Sequence, residues 1–347
     1  MKILVVYDAY VPREYFEKAF AGLVKTNVVR YAKLSGFGQQ APQNDSERSI
    51  REYSGSPGEL AGLLDGDDVL VVHTAPVTEE VLKASPNLKA VFCARGGPVN
   101  IDIETATRMR IPVVSAPGRN ADAVADITIA FMIILARKII PAYSALKGGA
   151  GISLNRSSFE GFFGNELGGK VLGLIGYGNV GSRVAKRALA FGMEVVVYDP
   201  YVDRSRIEAP GIKVTDYDTA TKSSDFISLH AREADENVNM FGVRQFAMMK
   251  PTAYFINTAR GSLLDEDALY DAISNKKIAG AAMDVMKVEP IDPKSRLFTL
   301  SNVIITPHIA GASHEVRFRG AEIIGKQMER WINHEHLDGV LNPQVMQ

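Results

Sequence analysis

An α/β fold of two domains, each built on a mostly parallel sheet, is what the sequence predicts, and three observations predict it. Over the first 118 residues, short apolar runs alternate with stretches of helical periodicity. A second series of the same kind begins near Val171, and a glycine-rich turn opens it by joining an apolar run to a helical pattern. Alternation of this sort is the pattern of the Rossmann-like and flavodoxin-like arrangements, in which helices cross over parallel strands. At 347 residues the chain has room for two cores, and 46% apolar with 23% charged residues is ordinary for a globular protein.

The elements follow in order. The opening 1-MKILVVYDAY-10 reads as the first strand, because its apolar run is too short for the core of a secretory leader and meets Asp8 at once. After it come 13-REYFEKAF-20 as a helix, NVVRYA, DDVLVVH with 78-TEEVLKA-84, LKAVFCA with 102-DIETATRMR-110, and IPVVSA. Residues 35–58, rich in Gly, Ser, Gln and Pro, interrupt the alternation and read as a surface insertion or lid.

A helix is predicted from roughly Asn120 to Leu146, closed by Gly148 and Gly149. Its run 127-ITIAFMIILA-136 is about half of a bilayer span, so the chain is predicted to be cytoplasmic and without membrane contact. A helix apolar on nearly all sides has to bury all of them, here against its own domain and a second subunit, which predicts a homodimer; a central helix in a monomer is the alternative. Beyond an irregular stretch, 148–169, the second series runs VLGLIG, EVVVYD, 225-DFISLHA-231, 253-AYFINTARG-261, 278-IAGAAMDV-285 and 303-VIITPH-308. The closing 313-SHEVRFRGAEIIGKQMERWINHE-335 has helical periodicity and is predicted to cross back to the first domain. The domains are then 1–118 with 317–347, and 119–316.

In 171-VLGLIGYGNVGSRVAKRALAFGMEVVVYDPY-201, Gly176, Gly178 and Gly181 stand at the G-x-G-x-x-G spacing between a strand and a helix. That spacing lets backbone N–H groups and a helix N-terminus approach a pyrophosphate with no side chain between. Asp199, eighteen residues beyond Gly181, falls at the tip of the next strand, where a carboxylate accepts from an adenosine ribose and repels a 2′-phosphate. NAD is thus predicted over NADP, with Arg204 and Arg206 close enough to soften the preference.

Three later strands end in a polar or charged residue: Arg260, Glu289 and His308, with intervals of 29 and 19 residues that fit one strand–helix unit each. The carboxyl ends of parallel strands face the ligand crevice, so the three are candidates to converge there. Arg260 offers a forked donor for a carboxylate, and the imidazole of His308 can take or give a proton and suits proton transfer. Glu289, within hydrogen-bond reach of the imidazole, would orient the ring and favour its charged form. A net charge of -1 offers nucleic acid or an anionic membrane no broad attraction, which leaves small-molecule chemistry. Cys93 is the only cysteine and reads as core; His73 ends a strand and reads as structural; no Cys/His/Asp cluster stands at metal spacing.

The segments GYGNVG, NTARGSLLDEDAL, DVMKVEP and TPHIAG, in this order, resemble the D-isomer-specific 2-hydroxyacid dehydrogenase family, and the resemblance extends over nearly the whole chain. It implies an NAD-dependent enzyme acting on a small 2-hydroxy or 2-keto acid. Arg260 then matches the arginine that holds the substrate carboxylate and carbonyl, His308 the catalytic histidine, and Glu289 its acidic partner. Asp284 matches a carboxylate near the nicotinamide edge. Cofactor contacts are expected from Gly176, Tyr177, Gly178, Asn179, Val180, Gly181, Asp199, Ala231, Thr258, Ala259, Arg260, Asp284, His308 and Gly311.

Two stretches depart from the family pattern. Where it has a G-x-G loop whose N–H groups hold the substrate carboxylate, this chain reads 94-ARGGPVNID-102, with Arg95 at the first glycine and Pro98 after the second. Arg232 replaces a common proline. Arg95, Gly96 and Gly97 are therefore expected at the substrate, with Arg95, joined by Arg232, favouring a larger sugar-acid or phosphorylated substrate. A salt bridge to a neighbouring carboxylate is the alternative for Arg95, and the cofactor's adenine is the alternative place for Arg232. Two other functions fit the scaffold: an NAD(H)-sensing binding protein, and a formate-type dehydrogenase, which pairs its histidine with glutamine and is opposed by Glu289.

Overall fold

The computed structural model describes residues 1–35, 49–149, 160–207 and 210–346. Most of the predicted insertion, residues 36–48, lies outside the described residues, as does the side chain of Arg206. The chain divides into two compact units, Met1–Asn120 with Ser313–Gln347, and Ala121–Ala312.

In the first unit five parallel strands, β1 (Lys2–Tyr7), β2 (Val28–Lys33), β3 (Val69–Val72), β4 (Ala90–Cys93) and β5 (Val113–Val114), lie in the order β2-β1-β3-β4-β5. Alternation along β1 sends Ile3 and Val5 to one face and Leu4 and Val6 to the other. The first pair joins Phe16, Phe20, Ile324 and Met328, and the second joins Leu60, Val81 and Leu82, so both faces of the sheet are covered. The helix His314–Ile332 belongs to this unit and packs on the helix Arg13–Ala19.

The described end of the 35–58 interval is not a loose surface excursion. Ile50 and Tyr53 are buried, the Arg51 N–H donates to Val99 O and the Ser54 N–H to Thr74 O, and Pro57 starts the helix Pro57–Leu63.

The second unit holds β6 (Val171–Ile175), β7 (Glu194–Tyr198), β8 (Ile212–Val214), β9 (Phe226–Leu229), β10 (Tyr254–Asn257), β11 (Gly280–Met283) and β12 (Val303–Ile305). Their order is β12-β11-β10-β9-β6-β7-β8, all parallel. The chain winds from β6 outward to β8 and then returns to β9 on the other side of β6. That reversal opens the crevice at the carboxyl ends of β6 and β9 where doubly wound sheets take ligands.

The predicted single helix from Asn120 to Leu146 is two helices, Ala121–Ala136 and Ile139–Lys147, broken where Lys138 takes a left-handed φ of 52°. Their environments differ. The first packs on the helix Asn179–Ala190 and buries Phe131, Met132 and Leu135 within its own unit. The second buries no side chain. Among the described residues no helix is long and apolar enough to cross a membrane.

Candidate active site

Each glycine of the turn after β6 has a separate physical reason. Gly176 has φ +101°, and a Cβ there would lie 2.7 Å from the carbonyl of His230; at Gly181 a Cβ would lie 2.3 Å from Gly176 O. Both positions exclude side chains because backbone passes too close. At Gly178 a Cβ would meet nothing within 4 Å, so the space in front of it is open. A tight turn, an open approach and a close helix–strand packing are what a pyrophosphate-binding turn needs of its three glycines, and the residues present fit a dinucleotide.

Asp199 follows β7 directly, and its carboxylate accepts from the backbone N–H of Tyr177 at 2.7 Å, of Tyr201 at 2.9 Å and of Val202 at 3.1 Å. The acid is thereby fixed beside the glycine turn. Asn179 and Val180 open the following helix, and Ala231, just beyond β9, is half-buried. His230, between them in the crevice, shares a 2.9 Å hydrogen bond with Ser228 Oγ, and burial pushes its pKa down to about 3.

Along the other half of the sheet, Arg260 stands three residues past β10 and His308 three past β12, with β11 between. His308 Nδ1 lies 2.7 Å from Glu289 Oε2, while Glu289 Oε1 accepts from the Met286 N–H at 3.0 Å. The carboxylate is anchored in its own loop on one side and holds the imidazole on the other, which turns Nε2 of the ring away from it. Pair and ring are open to solvent, with side-chain exposures of 42% for His308 and 38% for Glu289. Arg260 is exposed, and its Nη1 donates to Ala259 O at 2.8 Å; among the described residues it makes no hydrogen bond or ion pair to the imidazole or to Glu289.

His308 has φ +55°, a region non-glycine residues rarely occupy. Asp284, 1% exposed, holds it there. Its carbonyl accepts from the His308 N–H at 2.8 Å, and its carboxylate accepts from Thr306 Oγ1 at 2.5 Å, Ile309 N–H at 2.8 Å and Ala310 N–H at 2.7 Å. The acid expected at the nicotinamide edge thus braces the turn that presents the histidine. Thr258 shares a 3.0 Å hydrogen bond with Thr128, and the Ala259 N–H donates to Asn257 Oδ1, so the turn after β10 is braced as well. Gly311 follows the His308 turn directly.

In the first unit Gly96 and Gly97 are exposed after β4. Arg95 forms an ion pair with Glu52 and also donates to Glu52 O at 3.0 Å and to Asn100 Oδ1 at 3.5 Å. Arg95 thus makes the salt bridge that was its alternative reading. Arg232 is exposed beyond β9. Sequence reasoning did not single out Arg119, whose Nε and Nη1 are buried without an acceptor. Its place just past an apolar strand, in 117-PGRN-120, was the available signal.

These features define a class: a two-unit α/β protein whose doubly wound sheet carries a dinucleotide turn and an imidazole–carboxylate pair. The chain belongs to the D-isomer specific 2-hydroxyacid dehydrogenases, a family of NAD-binding oxidoreductases; residues 129–310 match that family's NAD binding domain. It is 42% identical over 260 residues to a D-3-phosphoglycerate dehydrogenase of Archaeoglobus fulgidus, a match that covers 75% of this chain and 48% of that protein. It is 38% identical over 291 residues to a hydroxypyruvate reductase of Thermotoga maritima, covering 83% and 92%. The chain thus spans about half the length of some curated relatives, 48% and 53% of two D-3-phosphoglycerate dehydrogenases, and nearly all of others. In fold it is similar to the NAD-complexed D-isomer specific 2-hydroxyacid dehydrogenase of Lactobacillus delbrueckii ssp. bulgaricus, with a TM-score of 0.77, 22% identity and coverage of 99% and 100%.

Proposed function

We propose that this chain catalyses the NAD-dependent interconversion of a D-2-hydroxy acid and its 2-keto acid, with Arg260, Glu289 and His308 as the residues that carry it. The observation behind this reading is the 2.7 Å contact between His308 Nδ1 and Glu289 Oε2, at the carboxyl edge of the sheet that also carries the dinucleotide turn. NADH, when bound, would supply the hydride for C2 of the keto acid. Arg260, permanently charged and forked, holds the carboxylate and polarises the carbonyl oxygen. As charge develops on that oxygen, His308 donates a proton from Nε2, and Glu289 stabilises the imidazolium that gives it. In the oxidative direction the neutral ring takes the hydroxyl proton. Gly176, Gly178 and Gly181 with Asn179 and Val180 would cradle the pyrophosphate, and Asp199 would hold the ribose.

The first unit, residues 1–118 with 317–347, is proposed as the substrate domain, with Gly96 and Gly97 offering backbone N–H groups to the acid; residues 119–316 form the cofactor domain. We place the protein in the cytoplasm as a homodimer. Support for the dimer is the helix Ile139–Lys147, which exposes Ile139, Ile140, Tyr143 and Leu146, with Phe163 also exposed. Incubation with NADH and a panel of 2-keto acids, followed by absorbance, tests the activity. His308→Ala abolishes turnover while NADH still binds; turnover near the wild-type rate rejects the assignment.

A further inference from the structure

At the carboxyl edge of the first unit's sheet, Asp8, His73 and Arg119, which follow three different strands, gather around Tyr10, and Arg95 follows a fourth. Asp8 follows β1, His73 follows β3, Arg95 stands two residues past β4 and Arg119 five past β5. The Asp8 carboxylate accepts from Tyr10 N–H at 2.9 Å, Val11 N–H at 2.8 Å and Thr74 Oγ1 at 2.6 Å, and lies 2.7 Å from His73 Nδ1. An acid so placed accepts only, which puts a hydrogen on Nδ1 and leaves Nε2 of the neutral ring with its lone pair. His73 is 3% exposed and stacks on Tyr10 with ring centroids 5.1 Å apart, yet Nε2 is buried with no hydrogen-bond partner.

Arg119 mirrors it. Its guanidinium carbon is 5.7 Å from the Tyr10 ring centroid, and Nε and Nη1 are buried donors with no acceptor. Among the described residues no carboxylate pairs with it, whereas Arg95 has Glu52, and Arg317 donates to the carbonyls of Tyr10 and Ala9 at 2.6 and 2.9 Å. Buried donors and a buried acceptor, each packed near the Tyr10 ring and each unpaired, are costly in an isolated chain and are relieved by a ligand of complementary pattern.

We propose that Arg119 and His73 form a subsite for an anion that carries a hydroxyl group: carboxylate or phosphate oxygens accept from the Arg119 guanidinium, and the hydroxyl donates to Nε2 of His73. The cation that selects an anionic ligand here is Arg119, since Arg95 is spent on Glu52. Two sources supply such a ligand, the far end of the substrate or a separate hydroxy acid that regulates the protein. The first source rests on the dehydrogenase reading above; the subsite itself does not.

The test uses the full chain, wild-type and with Arg119→Met or Arg119→Lys, in calorimetric titration with D-3-phosphoglycerate and in steady-state kinetics with NADH and glyoxylate, hydroxypyruvate or phosphohydroxypyruvate. Loss of a charged hydrogen-bonding group predicts that Arg119→Met weakens phosphoglycerate binding by roughly tenfold to a hundredfold, with Arg119→Lys between it and wild type. A matching loss in kcat/KM for phosphohydroxypyruvate, with glyoxylate within about twofold, assigns the ligand to the substrate's far end; unchanged kinetics with lost binding assigns it to a separate effector. Binding unaffected by either variant overturns the subsite. Should Arg119→Met not fold, Arg119→Lys alone decides, because a merely structural role leaves its phosphoglycerate affinity at the wild-type value. Absence of any turnover by the wild type rejects the dehydrogenase reading and leaves the titration to judge the subsite.

Discussion

The backbone of His308 hangs from Asp284: its N–H donates to the Asp284 carbonyl at 2.8 Å, and the next two N–H groups donate to the Asp284 carboxylate. A left-handed φ of 55° at a histidine persists only if its surroundings over-determine it, and these bonds do so. Asp284→Ala orphans the Thr306 hydroxyl and two backbone donors. It is expected to cost about 3 kcal/mol or more of stability and to lower kcat more than it raises the Kd for NADH. Thermal unfolding and cofactor titration on the purified variant check both.

Glu289→Gln keeps an acceptor for Nδ1–H but removes the charge that stabilises the imidazolium. The expected result is a kcat lower by on the order of a hundredfold with KM for the keto acid little changed. Equal losses in kcat and in carboxylate affinity would instead place Glu289 at the substrate.

The three glycines separate cofactor binding from folding. Gly178→Ala meets open space, so it is expected to leave the melting temperature within about 2 °C and to weaken NAD binding. Gly181→Ala forces a Cβ to 2.3 Å from Gly176 O and is expected to destabilise by several kcal/mol, on the order of an overpacked core. Calorimetric unfolding beside an NAD titration distinguishes them.

Acid lability follows from three groups. Burial lowers the pKa of His230 from 6.5 to about 3 and also lowers that of His73, against the opposing pull of Asp8. A depressed folded-state pKa means the unfolded chain takes up the proton first, so stability present above 6.5 is lost as pH falls toward 3. Asp8, where burial raises the pKa but hydrogen bonds from His73 and Thr74 outweigh it, adds a further loss below its ordinary 3.8. The unfolding free energy is expected to fall from pH 7 to pH 5 by up to about 1.4 kcal/mol per pH unit for each histidine, and the melting temperature falls with it. Replacing His230 by Asn is expected to flatten that slope.

Period and punctuation carried most of the fold. Buried parallel strands read as continuous apolar runs, and the glycine spacing marked the turn after β6 because backbone proximity admits no side chain at Gly176 and Gly181. What spacing does not encode is which groups meet. Arg95 stood out by type and lies against Glu52, 43 positions away, while Arg119, with no motif to mark it, holds the unpaired donors. The left-handed Lys138 likewise broke a helix whose apolar periodicity ran straight through it. Asp284 was legible as an acid at a strand end, but its bond to the His308 turn depends on register between β11 and β12, which no local pattern states.

The proposed role of the Glu289–His308 pair is to move a proton while hydride passes between nicotinamide and C2 of an acid. Steady-state oxidation of NADH by hydroxypyruvate, followed for wild type and for His308→Ala under conditions where both bind NADH, tests it most directly. Turnover by the wild type is expected, with a kcat/KM lower by at least about a hundredfold in the variant. A variant that turns over within a factor of two of wild type would contradict it.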